Sequence, residues 1–430
     1  MTSPLRGTFR SLDIFNYRVW ATGAIVSNVG TWMQRTAQDW LVLAELTNRN
    51  ATAMGVIMAL QFGPQLLFLP VSGLAADRLD RRKLLLATQS SMGVLALLLG
   101  ILTVTGLARL WHVFVFAFLL GTVSAFDAPA RQTFVFDLVG ESDLSNAVAL
   151  NAASFNMARM IGPAIAGLLI TAVGTGWVFL INAASFVAVI ASLMMLRRGE
   201  LTPTIATRST HNGFIDGFRY VRAHPDLFAI LLMFFFIGTF GLNFPIFIST
   251  MAVSVFHTGA RGFGLLSSIM AIGSVGGALV AATRRRPNIP VLLAGAAAFG
   301  FGFLFAALAP SYWLFGLALI AVGASAQTFT SSANGLVQLS TEHAMRGRVI
   351  AILLALAMGT TPIGAPIAGW VADHFGPRWS LALGGASGII AAGVALRYLA
   401  KHRHLRVRFA GGLPHFTMDP EEPLIAGPAY

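Results

Sequence analysis

Long apolar runs, each about twenty residues or more, alternate along the chain with short polar breaks. The runs are continuous rather than alternating at every second residue, which argues for helices and against a membrane β-barrel. A bilayer core about 30 Å thick takes about 20 helical residues. In such windows the sequence predicts helices near 19–46, 53–75, 84–105, 110–129, 146–172 and 177–196. After a polar stretch, a second set follows near 227–253, 263–282, 290–309, 313–332, 349–372 and 379–399. The pattern predicts an all-α integral membrane fold of twelve transmembrane helices in two six-helix halves, 1–196 and 223–400. A central linker at 197–222 joins them, and the basic, then Pro-rich tail at 401–430 is expected to be disordered.

Composition sharpens the class. Hydrophobic residues make up 56% of the 430 and charged residues only 11%, with a mean hydropathy of +0.73. A soluble domain carries roughly a quarter charged residues. Cysteine is absent, which excludes disulfides and thiol chemistry. The first apolar run is long and continues past Arg35 and Asp39, so it reads as the first helix rather than as a signal peptide.

The 29 Lys and Arg outnumber the 17 Asp and Glu, and their placement orients the chain. With the N-terminus inside, Arg6, Arg10, Arg18, the 78–83 loop, Arg131, the linker, Arg284–Arg286, Arg346, Arg348, Arg397 and the basic tail all face the cytoplasm. Only Arg49, Arg109, Arg261 and Arg378 fall outside. That asymmetry predicts a multi-pass protein of the inner (plasma) membrane with both termini cytoplasmic. It also accounts for the +12 net charge through contact with anionic lipid, without nucleic acid.

The halves resemble each other. Ile161-Gly-Pro-Ala-Ile-Ala-Gly167, followed by Gly174 and Trp177, aligns at one constant offset with Ile363-Gly-Ala-Pro-Ile-Ala-Gly369, followed by Gly376 and Trp379. Parallel six-helix repeats imply a transporter with its substrate site between them near the midplane. Between the second and third helices lies Gly73-Leu-Ala-Ala-Asp77-Arg78-Leu-Asp80-Arg81-Arg82-Lys83. This loop resembles the Gly-x-x-x-Asp-Arg-x-Gly-Arg-Arg/Lys signature of the major facilitator superfamily, departing from it at Asp80. The segments Gly30–Val42, Pro129–Gln132 and Asn146–Asn151 are similar to those of its drug and siderophore exporter branch, which includes the enterobactin exporter and macrolide pumps.

The resemblance implies a cytoplasmic latch. Arg78, Arg81 and Arg82 would pair with carboxylates on neighbouring helices, with Asp127 and Asp137 as candidate partners and Asp77 as a further member. Gly73 would permit close helix approach. The alternative is that these charges only set topology. Gly162, Pro163 and Gly167 resemble the helix 5 core of antiporters, which implies export against an inward proton flow; a structural kink explains them equally well.

Charges inside spans point to function. Arg35 and Asp39 lie one helical turn apart, and Asp39 is the candidate proton-coupling group with Arg35 as its neighbour. The sequence leaves open whether Asp39 exchanges a proton or stays locked to Arg35. Arg159 has Asn151, Phe155 and Asn156 on roughly its own helix side, a cationic, aromatic-flanked setting for carboxylate, phenolate or hydroxamate groups. The alternative for Arg159 is capping of carbonyls between helices or permanent pairing with Asp39. Gln34 is a weaker candidate, since polar membrane residues are as often packing contacts.

The chain has no phosphate-binding loop and no His/Glu pairing at metal-ligand spacing, so neither an enzyme nor a bound cofactor or metal is expected. The favoured reading is a monomeric proton-coupled exporter of small amphipathic molecules, with substrate, protons and lipid as its partners. The alternatives are an importer of a small nutrient anion and a non-transporting membrane receptor or assembly partner.

Overall fold

The computed structural model describes residues 9–201, 213–282, 288–342, 345–402, 406–410 and 413–417. After a short turn at Arg10–Asp13, α1 (Phe15–Trp40) runs on into a wider π-helical turn, Leu41–Leu46. Then come α2 (Ala51–Leu67), α3 (Leu69–Arg78), α4 (Arg81–Val104), α5 (Leu110–Val173) and α6 (Thr175–Met195). The later helices are α7 (Gly213–Ala223), α8 (Pro225–Phe236), α9 (Phe244–Thr250), α10 (Ala260–Ala282), α11 (Ile289–Leu308), α12 (Tyr312–Leu339), α13 (Arg346–Gly359), α14 (Thr361–Phe375) and α15 (Pro377–His402).

Among the described residues, nine helical segments are long and apolar enough to cross a membrane, or ten if the bent pair of α2 and α3 forms one span. Two physical reasons separate this from the expected twelve. The 64-residue α5 counts once, although Gly140 (φ 67°, ψ −169°) interrupts its helical backbone. And α1 is 26 residues long but carries Asn28, Gln34, Arg35, Gln38 and Asp39. Large apolar side chains on other helices stand exposed, among them Val94, Leu97, Leu98 and Ile101 on α4 and Phe301, Phe305 and Leu308 on α11. Apolar surface of that extent suits lipid as the solvent.

Several expected spans are broken. The second bends by 60° where α2 meets α3; Pro70 has no N–H to offer the preceding turn, and Phe68 leaves the helical region (φ −94°, ψ 3°). The seventh breaks between the π-helical turn Ile237–Gly241 and α9, and the eleventh divides at Thr360 into α13 and α14. The linker carries α7, while 202–212 lie outside the described residues. The tail also departs from the expectation of disorder. Arg406–Ala410 (β1) pairs antiparallel with Leu413–Thr417 (β2), with Arg406 opposite Thr417 and Ala410 opposite Leu413. Two glycines separate the strands in sequence, a composition suited to tight hairpins. The last residues, 418–430, lie outside the described ones.

The sequence repeat has a backbone counterpart. Gly174 (φ +90°) ends α5 and Gly376 (φ +99°) follows α14, both in a region where a Cβ is strained. Trp177 and Trp379, three residues on in each case, are both exposed.

The chain divides into two compact units that cut across the expected halves. The first holds residues 1–209 together with 245–271 and 365–374. The second holds 210–244, 272–364 and 375–430. The first unit is built on α1 packed against α5 and α6, around Tyr17, Trp20, Phe134, Leu85 and Leu193. Second-half segments join it through backbone-close contacts. A Cβ on Gly55 of α2 would lie 2.4 Å from the Ala365 carbonyl oxygen, and one on Gly369 2.3 Å from that of Ala51. On α5, a Cβ on Gly167 would lie 2.7 Å from the Ala260 oxygen; Gly264 faces Pro163 in the same way at 2.4 Å. In the second unit α11 packs on α12 and α15, with Phe244, Phe299 and Phe303 in mutual ring contact.

Candidate functional site

The intramembrane charges of the first unit gather around one ring. Trp32 of α1 lies under two guanidinium groups: the Arg35 Cζ is 5.0 Å from its ring centre and that of Arg159 is 5.9 Å. Phe155 meets the same indole edge-on, with ring centres 5.7 Å apart. Phe62 of α2 lies 5.8 Å from the Arg35 Cζ. Helical spacing explains the α1 part, since 32, 35 and 39 follow one another by single turns. Gly162 explains the α5 part: a Cβ there would lie 2.6 Å from the Trp32 Cβ, so its absence lets α5 seat the tryptophan.

No ion pair within 4.0 Å involves Arg35, Asp39 or Arg159 among the described residues. Arg35 nevertheless lies within electrostatic reach of both Asp39 and Arg159. Two cations thus face one partly buried aromatic box, with a single carboxylate beside it. Like charges brought together away from water repel strongly. An anion placed between them would relieve that repulsion, and cation–π contact with Trp32 offsets part of it.

The other predicted residues divide. Gln34 is buried and accepts a 2.5 Å hydrogen bond from Asn182 Nδ2, so it joins α1 to α6 rather than facing a ligand. Asn156 donates to the Ala152 carbonyl of its own helix. Asn151 lines an open crevice of about 240 Å³ with Phe9, Tyr17, Trp20, Ile25 and Ser154, two helical turns from Arg159.

The charged loop is organised differently from the expected latch. Arg81 forms a 2.7 Å ion pair with Asp137 and donates from Nε to the Ala76 carbonyl at 3.2 Å. Asp127 is bound elsewhere: it is paired with Arg131 one turn along α5 and accepts from Thr88 and Gln89. The i, i+4 spacing put Arg131 closer than the loop. Arg131 also donates to Asn28 at 3.0 Å. Arg82 donates to the carbonyls of Leu193 and Met194, capping the end of α6. Asp77 and Arg78 are exposed, and neither joins this cluster among the described residues. A Cβ on Gly73 would meet nothing within 4 Å among the described residues, which show no close approach there. Asp80 acts on its own helix, where its carboxylate accepts from the Lys83 backbone N–H at 3.0 Å and caps α4.

Sequence reasoning passed over Trp32, Phe62 and Thr88. Trp32 had a signal, standing one turn before Arg35; Phe62 and Thr88 come from other helices and had none.

The chain is similar to the Staphyloferrin A transporter of Staphylococcus aureus, 26% identical over 365 residues, 81% of this chain and 87% of that protein. It is 26% identical to the multidrug efflux pump Tap of Mycolicibacterium fortuitum over 378 residues (82% and 88%). It is 24% identical to the enterobactin exporter of Shigella flexneri over 370 residues (85% and 87%). Among solved structures, it shares the fold of a bacterial homolog of the human lysosomal transporter Spinster in an inward-facing and occupied conformation. That match has a TM-score of 0.70 and 14% identity, over 90% of this chain and 97% of the other. A POT family transporter in complex with a thioalcohol conjugated peptide matches with a TM-score of 0.73 and 12% identity, over 90% and 96%. The family model described as "transmembrane secretion effector", of the major facilitator type, matches residues 4–410. By that match the chain belongs to the transmembrane secretion effector family of major facilitator transporters.

Proposed function

We propose that this chain is a proton-coupled exporter of small amphipathic molecules bearing acidic groups, siderophores or drugs, and that it works by alternating access. In this reading twelve spans form two six-helix halves, both termini are cytoplasmic, and the protein acts as a monomer in the plasma membrane. The observation that carries it is the pair of guanidinium groups, Arg35 and Arg159, both set against Trp32 with no ion-pair partner among the described residues. Such a box suits a flat or aromatic anion: the indole and Phe155 take the ring, and the arginines take carboxylate, phenolate or hydroxamate oxygens. Asp39, one turn from Arg35, competes with that anion for the guanidinium. Its protonation state therefore sets how firmly Arg35 holds the substrate, which makes Asp39 the proposed coupling group. The named siderophore and multidrug relatives support the substrate class.

The test is flux in inside-out vesicles under an imposed proton gradient, with a catecholate, a carboxylate siderophore and a cationic dye as probes. Loss of one charge-assisted contact costs about 2 kcal/mol, roughly thirty-fold in transport efficiency. Arg159→Ala is expected to lose that much for the acidic probes. Asp39→Asn is expected to abolish gradient-driven accumulation while retaining counterflow exchange. Uptake confined to right-side-out cells would favour import of a nutrient anion instead. Unchanged flux in both variants, with normal folding, would remove the transport role of the box.

A further inference from the structure

The start of α2 is capped twice, from near and from far. Locally, the Asn50 side chain accepts from the Ala53 N–H at 2.8 Å. The second cap is Asp373, in the last turn of α14 and more than three hundred residues away. Its Oδ1 accepts from the Ala51 N–H at 2.8 Å, and its Oδ2 accepts from the Thr52 N–H at 2.8 Å and from the Thr52 hydroxyl at 2.6 Å. Between them the two side chains satisfy the N–H groups of Ala51, Thr52 and Ala53, donors that a helix leaves open. A carboxylate there also meets the positive end of the helix dipole.

The surroundings give this clasp its meaning. The seams that bring 365–374 against α2 and 260–264 against α5 are backbone laid on backbone, through Gly55, Gly369, Gly167 and Gly264. Such contacts rest on dispersion and weak Cα–H···O interactions. Asp373 adds a directional, charge-assisted link. It stands on a segment, 365–374, whose continuation from 375 belongs to the other unit. It also engages the end of the α2–α3 pair opposite to Arg78, where the charged loop begins.

We propose that Asp373 bolts the non-cytoplasmic end of the transporter shut, and that this end opens when the carboxylate lets go of Ala51 and Thr52. The proposal rests on the alternating-access reading above. Under it, the Asp373 clasp is made in the state closed to the outside and broken in the state open to it.

The chain has no cysteine, so a single introduced thiol reports on access. Ser249 is 1% exposed and its Oγ lies 3.2 Å from Met54 Sδ on α2, behind the seam. In right-side-out vesicles, Ser249→Cys is labelled with a membrane-impermeant maleimide, without substrate. Adding Asp373→Ala is expected to raise the labelling rate at least about five-fold, with Asp373→Asn in between and Thr52→Val smaller. A parallel reporter, Ser185→Cys between α1 and α6, is expected to stay protected throughout. Equal rates with and without Asp373→Ala overturn the proposal. So does a rise at both reporters, which would mean general loosening. The outcome is separable from the flux test: opening at Ser249 without proton-driven flux leaves the clasp standing and removes the transport reading. Proton-driven flux with Ser249 protection indifferent to Asp373 does the reverse.

Discussion

Replacing Asp137 by Ala strips the carboxylate from the Arg81 guanidinium at a site where each side chain is 12% exposed and the N–O distance is 2.7 Å. That is too enclosed for the ~0–1 kcal/mol of a surface pair. It is too open for the full ~3–5 kcal/mol that follows when a sealed charge loses its partner. An intermediate cost of about 2.5 kcal/mol is expected for Asp137→Ala. Arg81→Ala also removes the bond to the Ala76 carbonyl, worth about 1 kcal/mol, less what Asp137 recovers from water; about 3 kcal/mol results. If the two act as one unit, the double variant loses about 4 kcal/mol rather than the sum, a coupling of about 1.5 kcal/mol. The assay is reversible unfolding in mixed SDS micelles followed by tryptophan fluorescence, on the parent, both single variants and the double. A coupling below about 0.5 kcal/mol, the scatter of independent sites, would refute the claim that this pair ties the start of α4 to α5.

Two further variants separate local structure from function. Asp80→Ala removes the cap on Lys83 N–H and is expected to cost about 1 kcal/mol in the same unfolding assay, whereas Asp80→Gly costs only a few tenths; a larger loss with Gly would show that Asp80 acts beyond its own helix. Gln34→Leu breaks the bond from Asn182 and is expected to cost about 0.6 kcal/mol while leaving flux intact; flux lost without loss of stability would make Gln34 a ligand.

What the sequence made legible was the lipid-facing pattern and the spacing of charges along each helix. Arg35 and Asp39 stand one turn apart, and so do Asp127 and Arg131, a pair hidden because the charged loop drew Asp127 toward its own arginines. Of the glycines that match between the two halves, Gly174 and Gly376 proved to be positive-φ positions at corresponding helix ends. Contacts across helices were not legible. Nothing along the chain says that Arg159 reaches over Trp32, that Gln34 is spent on Asn182, or that Asp373 closes on Ala51, because each depends on how neighbouring helices are turned. Gly73 shows the converse error. A small residue permits close approach but does not bring a neighbour to it. The pairing of 406–410 with 413–417 was missed because a basic, Pro-containing tail reads as disorder.

The single non-helical residue inside α5 has a mechanical consequence. Helix pairs are usually joined by about two to eight residues, whose slack lets each helix settle independently. Here only Gly140 stands between the stretch carrying Asp127, Arg131 and Asp137 and the stretch carrying Phe155 and Arg159. Just beyond it, Asp143 is tied to Arg10 and Asn146 to Ser11. Along α5, two torsion angles are then the only break in the helix between the charged cluster and Phe155 and Arg159. A movement of one is passed to the other with almost no backlash, like a crank with one pin, and wear at that pin would disable both ends at once.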